Sequence, residues 1–183
     1  MTVNKNDKVN ETGALKGAKM YLSLPIEHTN EGDNDWRPEV KHHLTESFGI
    51  DVFDPLADEK QKRATVLRAA MEKEDFDQVE EIATAFVKKD LGKIDRSDFL
   101  IAYNPKGVPT TGVPCEVHHA VQLKKPVMIV CPDGKRAASL WYWGYIRHEY
   151  IFGSWADLYE YLEEVDQFKH RDNHRWWFVY RMV

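Results

Sequence analysis

Four short apolar runs, each closed by a turn-forming or polar residue, constrain this chain more than any other feature. They are Lys19–Leu24 (KMYLSL), Ile50–Phe53 (IDVF), Phe99–Tyr103 (FLIAY) and Pro126–Val130 (PVMIV), with Tyr150–Phe152 as a shorter fifth. Runs of four to six residues are too short for buried helices and rich enough in β-branched and aromatic residues for strands. Between them lie segments with helical spacing. Pro38 fits the first turn of a helix capped by Asp35 and ended by Gly49. From Lys60 to Lys93, Val66, Ala70, Val79, Ile82, Ala83, Phe86 and Val87 recur at helical intervals, and a break is expected near Glu74-Asp75. A further helix is expected from about Cys115 to Leu123, and another behind Ser154, three residues before Asp157.

Strands that alternate with helices require crossover connections and a parallel sheet covered on both faces. The expected fold is therefore α/β, a flavodoxin-like or Rossmann-like five-stranded parallel sheet with helices on both faces. One domain is expected over 18–168. Residues 1–17, rich in Asn, Lys and Thr, read as a flexible leader, and 169–183 as an aromatic tail packing on the body or on a neighbouring subunit.

Composition narrows the function classes. The 30 acidic residues exceed the 25 Lys plus Arg, a net charge of -5, which gives no general attraction to a nucleic acid polymer or an anionic membrane. No stretch is apolar enough to span a bilayer, and the polar N-terminus has no secretory core. Two cysteines, Cys115 and Cys131, are too few for a disulfide scaffold and read as reduced thiols of a cytoplasmic protein.

Ligands of open parallel sheets bind beyond the C-terminal ends of the strands, which directs attention to the residues after Leu24, Phe53, Tyr103 and Val130. After the third run comes Thr110-Thr111-Gly112-Val113-Pro114-Cys115-Glu116-Val117-His118-His119. Glu116 is expected in the first turn of its helix, where free N–H groups favour an ionised carboxylate facing the crevice. Upstream, Asp90-Leu91-Gly92-Lys93-Ile94-Asp95-Arg96-Ser97-Asp98 leads into the same run. Taken alone, each carboxylate also fits an ordinary surface or capping role.

Together these segments resemble the nucleoside 2-deoxyribosyltransferase family, whose superfamily also contains nucleoside 5'-monophosphate N-hydrolases. The resemblance rests on Met20-Tyr21-Leu22-Ser23-Leu24-Pro25, on the D-L-x-x-I-x-x-S-D spacing from Asp90 to Asp98, and on Gly112, Glu116 and Lys124-Lys125-Pro126-Val127. It spans roughly residues 18 to 165. It implies that Glu116 is the nucleophile that displaces the base from the anomeric carbon, through a transition state of oxocarbenium character. It implies that Tyr21 holds that carboxylate, and that Asp90 hydrogen-bonds the departing base and helps with its proton. Pro25, Thr110 and Gly112 fall at substrate-binding positions, and Trp36 and Phe53 are candidates for the wall that stacks the base. Ser139 matches the segment that reaches a neighbour's site, so a homo-oligomer is implied. The implied partners are nucleosides or nucleoside monophosphates and free nucleobases, with no cofactor and no metal.

Three departures from the family pattern bear on substrate. Thr110 stands where transferases commonly carry Asp, and Ser139 where they often carry Asn; both changes resemble the monophosphate hydrolases. The first loop, Ile26-Glu27-His28, offers no cation for a phosphate. His118-His119 replaces a common Gly-Tyr. Of the remaining conspicuous residues, Trp141, Trp143 and Tyr145 are expected in a core or interface, and His42-His43 and Lys60-Lys62-Arg63 on solvated faces. A transferase is the leading expectation, a monophosphate hydrolase the second, and a non-catalytic nucleotide-sensing or interaction domain the third.

Overall fold

The computed structural model describes residues 13–26, 32, 35–56, 60–170, 174–176 and 178, with the side chains of 60–65 and 174 outside that description. The expected strands form, each within a residue of its anticipated ends: β1 Lys19–Ser23, β2 Asp51–Phe53, β3 Phe99–Tyr103, β4 Val127–Val130 and β5 Ile151–Phe152. All pair in parallel, in the order β2-β1-β3-β4-β5. This is the flavodoxin-like order, whose direction of winding reverses between β1 and β3.

Among the described residues six α-helices accompany them: α1 Arg37–Phe48, α2 Lys60–Glu72, α3 Phe76–Arg96, α4 Gly112–Gln122 and α5 Leu140–Tyr145 between strands, and α6 Trp155–Asp166 after β5. The break between α2 and α3 falls where expected. Glu74 takes a left-handed backbone (φ 56°), and Asp75 caps α3 by accepting from the Gln78 N–H at 3.2 Å. Gly49 ends α1 with φ 67°, a conformation that costs glycine little. Ser154 caps α6, its hydroxyl accepting from the Asp157 N–H at 3.1 Å.

Two of the expected helix starts are corrected. Asp35 does not cap α1; Trp36 occupies the cap position with no side-chain hydrogen bond, and Pro38 lies in the first turn. The helix expected from Cys115 begins at Gly112, because Pro114 sits inside its first turn, where its missing N–H needs no partner.

Strand alternation divides the interior into two cores. Met20, Leu22, Phe99, Ile101, Met128 and Val130 face the side covered by α1 and α6. Tyr21, Leu100, Ala102, Val127 and Ile129 face the side that holds Ile94 of α3, Val113, Val117 and Ala120 of α4, and Tyr142 of α5. The leader expected over 1–17 lies outside the described residues as far as 12, but its last part is packed. Leu15 is fully buried, and the Ala14 and Leu15 N–H groups donate to the Asp166 carbonyl and carboxylate at 3.1 and 2.8 Å. From the other terminus, Trp176 is fully buried edge-on to Phe99, and its indole N–H donates to the Tyr161 hydroxyl at 2.7 Å. Beside it the Arg175 guanidinium lies 3.7 Å over the Tyr150 ring and donates to the Val127 carbonyl. Trp177 and Tyr180 of the same cluster lie outside the described residues.

Other expected surface residues separate. His43 is not simply solvated, since its ring lies against Tyr159, tilted by 32° with centroids 4.0 Å apart. Trp141 and Trp143 are not in the core of the chain: they are 80% and 42% exposed, whereas Tyr142 between them is 1% exposed. The side chains of Lys60, Lys62 and Arg63 lie outside the described residues. Among the described residues no helix is long and apolar enough to cross a membrane.

Trp176 joins the C-terminal segment to both Phe99 and Tyr161. Truncating so large a buried side chain costs about 3–5 kcal/mol. Trp176→Ala is therefore expected to lower the unfolding free energy by that amount in a urea titration, with an unchanged fold by circular dichroism.

Candidate active site

β1 presents Tyr21 and Ser23 on one face, two residues apart, because side chains alternate along a strand. α4 lies over that face, and Glu116 points back from its second turn to both hydroxyls. The Tyr21 hydroxyl donates to Glu116 Oε1 at 2.8 Å, and the Ser23 hydroxyl donates to Oε2 at 2.5 Å. Tyr21 and Ser23 are fully buried, while Glu116 remains exposed enough to meet a ligand. The expectation that Glu116 lies in the first helical turn is corrected, since α4 starts four residues earlier at Gly112. Its orientation thus comes from two strand hydroxyls rather than from free N–H groups at the helix start. With a strand hydroxyl on each oxygen, the carboxylate is fixed in position.

Burial, the Glu116 charge and then the Asp90 and Asp54 charges push the Tyr21 hydroxyl far above the usual tyrosine range. Tyr21 is therefore a neutral donor at any working pH. Asp90, half-buried on α3, carries one of those charges. Of the three residues expected to be catalytic, Glu116 and Tyr21 are thus in direct contact, and Asp90 lies on the helix whose Leu91 and Ile94 pack on the Tyr21 face of the sheet.

The other expected site residues divide. Phe53 pairs with Tyr21 in the β1–β2 register and packs, half-buried, on the same face. Pro25 is buried just beyond β1. Gly112 opens α4 with free space where a Cβ would stand. The Thr110 hydroxyl accepts from the Val113 N–H at 3.4 Å, a long contact at the start of α4. Ser139 caps α5, accepting from the Trp141 N–H at 3.3 Å, and is exposed. Trp36 goes elsewhere: it packs against Tyr103 and Trp155, ring centroids 4.4 and 5.1 Å apart, on the α1/α6 side of the sheet. That face is opposite to the one carrying Tyr21, so Trp36 is not brought against the carboxylate.

Two residues of the site are missed by sequence reasoning. Ser23 enters it only as part of a strand, although its position two residues after Tyr21 marks it as sharing that face. Asp54 reads as a strand end, yet it is buried, accepts from the Leu56 N–H at 2.8 Å, and pairs with Arg37 at 2.6 Å. Nothing in the local sequence ties Arg37 to Asp54, since they belong to different elements. The His118-His119 pair also separates: His119 pairs with Asp95 at 2.8 Å, and His118 stands edge-on to Tyr145. Among the described residues no three His, Cys, Asp or Glu side chains converge as metal ligands would.

A parallel sheet wound in the 2-1-3-4-5 order, with a hydroxyl-held carboxylate at its switch point, defines a class of α/β protein built to hold a small ligand at that crevice. The model of the nucleoside 2-deoxyribosyltransferase family matches residues 20–174, and the chain belongs to that family. Among solved structures, the chain is similar to a 2-deoxyribosyltransferase from the psychrotolerant bacterium Bacillus psychrosaccharolyticus, described as a biocatalyst for the synthesis of antiviral and antitumoral nucleosides. The TM-score is 0.54 at 24% identity, covering 77% of this chain and 90% of that one, a likeness of fold. No curated protein is similar enough to count as a relative.

Burial also sets a pH limit on the neighbouring core. The Cys131 thiol at the end of β4 is pushed up to about 11 from 9.0, chiefly by burial. Above pH 9 the unfolded chain releases this proton while the folded chain keeps it, so stability falls as pH rises. Unfolding midpoints are expected to drop between about pH 9 and 11. Cys131→Ala should flatten that part of the curve, measured by thermal scans at each pH.

Proposed function

We propose that this protein cleaves the N-glycosidic bond of 2'-deoxyribonucleosides and transfers the sugar to another nucleobase. The observation that carries the reading is the Glu116 carboxylate, gripped on both oxygens by Tyr21 and Ser23 at the switch point of the sheet, where open parallel sheets bind ligands. In the first step, a Glu116 oxygen bonds to the anomeric carbon as the bond from that carbon to the base nitrogen breaks. The bonding pair leaves with the base, and Asp90 supplies or shares the proton that neutralises it. The second step reverses the first with a new base, and Asp90 accepts its proton. Phe53, alongside Tyr21, supplies an apolar wall for the base.

The 5' end of the substrate is read by its charge. Arg37, the cation at the end of the first loop, is committed to Asp54. A phosphate dianion arriving there would need a cation to offset its desolvation. We therefore assign the neutral 5'-hydroxyl of a nucleoside to the crevice, near Thr110. The protein is further proposed to work as a homo-oligomer in which a neighbour's Ser139 completes the site. Leu140 and Trp141, next to Ser139 in sequence, are 86% and 80% exposed, an apolar pair that supports contact with another copy.

The deciding assay mixes the protein with deoxynucleosides, with and without a second base, and repeats the series with deoxynucleoside 5'-monophosphates. Exchange that depends on the second base supports the transferase, whereas base release from monophosphates alone would replace it with the hydrolase. Glu116→Gln is expected to reduce base release to about a thousandth or less, because a covalent nucleophile has no substitute. Asp90→Asn should slow most the bases that leave only when protonated. Full activity of Asp90→Asn on purines and pyrimidines alike would make Asp90 structural.

A further inference from the structure

Ser23, the last residue of β1, is fully buried. It lies on the face of the sheet that carries Tyr21, opposite Ala102 in the β1–β3 register and toward the core that holds Leu100, Val113 and Val117. An alanine, such as Ala102 beside it, would pack here without burying a hydroxyl, and a buried hydroxyl lowers stability unless it is paired. The Ser23 hydroxyl is paired, and its partner is the candidate nucleophile. It donates to Glu116 Oε2 at 2.5 Å, against 2.8 Å from the Tyr21 hydroxyl to Oε1.

The two donors are not equivalent. Hydroxyls on ionised carboxylates sit at about 2.5–2.7 Å and make bonds roughly twice as strong as those between neutral groups. Ser23 is within that range, and Tyr21 is at the length of an ordinary hydroxyl bond. The extra strength comes from the charge of the acceptor. When Glu116 bonds to the anomeric carbon, its carboxylate becomes an ester and both oxygens lose that charge, whichever of them forms the bond. The Ser23 hydroxyl therefore interacts more strongly with the free carboxylate than with the ester. In the second half-reaction the incoming base nitrogen bonds to the anomeric carbon and the bond from that carbon to the Glu116 oxygen breaks. The electron pair returns to Glu116, the charge reappears beside Ser23, and the proton of the incoming base passes to Asp90.

We propose that Ser23 makes Glu116 a better leaving group, so that the glycosyl–Glu116 ester breaks down rather than accumulates. The proposal rests on the reading of Glu116 as nucleophile. It assigns Ser23 a part in the second half-reaction, beyond the orientation of the carboxylate that it shares with Tyr21. Orientation alone would serve the first step; a short bond to the charge serves the second.

Ser23→Ala removes the hydroxyl and leaves the rest of the side chain. Its kcat for base exchange is expected to fall about tenfold, as for loss of a hydrogen bond to a charged group. For the donor nucleoside kcat/KM should stay within about threefold, because that ratio reports the first step alone. Intact-protein mass spectrometry of acid-quenched reactions should find more deoxyribosyl adduct on Ser23→Ala than on the wild-type chain, and none on Glu116→Gln. Without substrate, the ¹³C carboxyl resonance of Glu116 should titrate at a higher pH in Ser23→Ala, since a donor to the charged form has been lost. Equal falls in kcat and kcat/KM with no gain of adduct would reduce Ser23 to an orienting residue and overturn the proposal. An unchanged kcat or an unshifted Glu116 titration would overturn it too. A wild-type chain that exchanges no base would instead remove the functional reading, and the proposal with it.

Discussion

A single carboxylate can take a hydrogen bond on each oxygen from two side chains of one strand only if those side chains are two residues apart and the carboxylate lies squarely over them. Tyr21 and Ser23 meet the first condition by strand alternation. The second is met by topology. β3 must lie next to β1 for the segment leaving β3 to bring α4 over the end of β1, and that adjacency is the switch point of the 2-1-3-4-5 order. Shifting β1 by one residue would turn both hydroxyls to the α1/α6 side and leave Glu116 without either donor. The β1–β3 register, Met20 with Phe99 through Ser23 with Ala102, is therefore a requirement of the site as much as of the sheet.

The two faces of the sheet differ in chemistry. On the α1/α6 side the rings of Trp36, Tyr103, Trp155 and Tyr159 pack on one another, and the C-terminal segment closes over Phe99 with Trp176. On the α3/α4/α5 side the core is punctuated by polar groups: Tyr21, Ser23, Glu116, Tyr142 and Asp90. Polar groups in a core weaken it unless they are paired, as Tyr21 and Ser23 are with Glu116. Trp176 contacts Phe99, the first residue of β3, whereas the site lies beyond the other end of that strand. Stability supplied at one end of the sheet can thus change without moving the carboxylate at the other.

Much of this is legible in the sequence, for physical reasons. Short apolar runs and helical stripes fix element type by periodicity, and the strands form within a residue of their expected ends. Tyr21, Asp90 and Glu116 are singled out by the resemblance to the family, and the structure brings Tyr21 and Glu116 into contact. What escapes depends on contacts between distant segments. The start of α4 reads late because Pro114 looks like a boundary, although proline is tolerated in a first turn. Chain position alone directs Trp36 to the base, while its neighbours Tyr103 and Trp155 belong to β3 and α6. Ser23 is the avoidable omission, since its alternation with Tyr21 is visible in the strand itself.

α5 shows the same limit most clearly. Its sequence, Leu-Trp-Tyr-Trp-Gly-Tyr, offers four aromatic residues with no periodicity to say which is buried. Six residues make fewer than two turns, too few for an apolar stripe to stand out. The structure buries Tyr142 and leaves Leu140 and Trp141 outside, so the residue with a hydroxyl goes inward and two of the most apolar go outward. Hydrophobicity alone would choose the reverse. An arrangement that runs against transfer free energy needs a return, and the proposed contact with a second copy would supply it by covering Leu140 and Trp141.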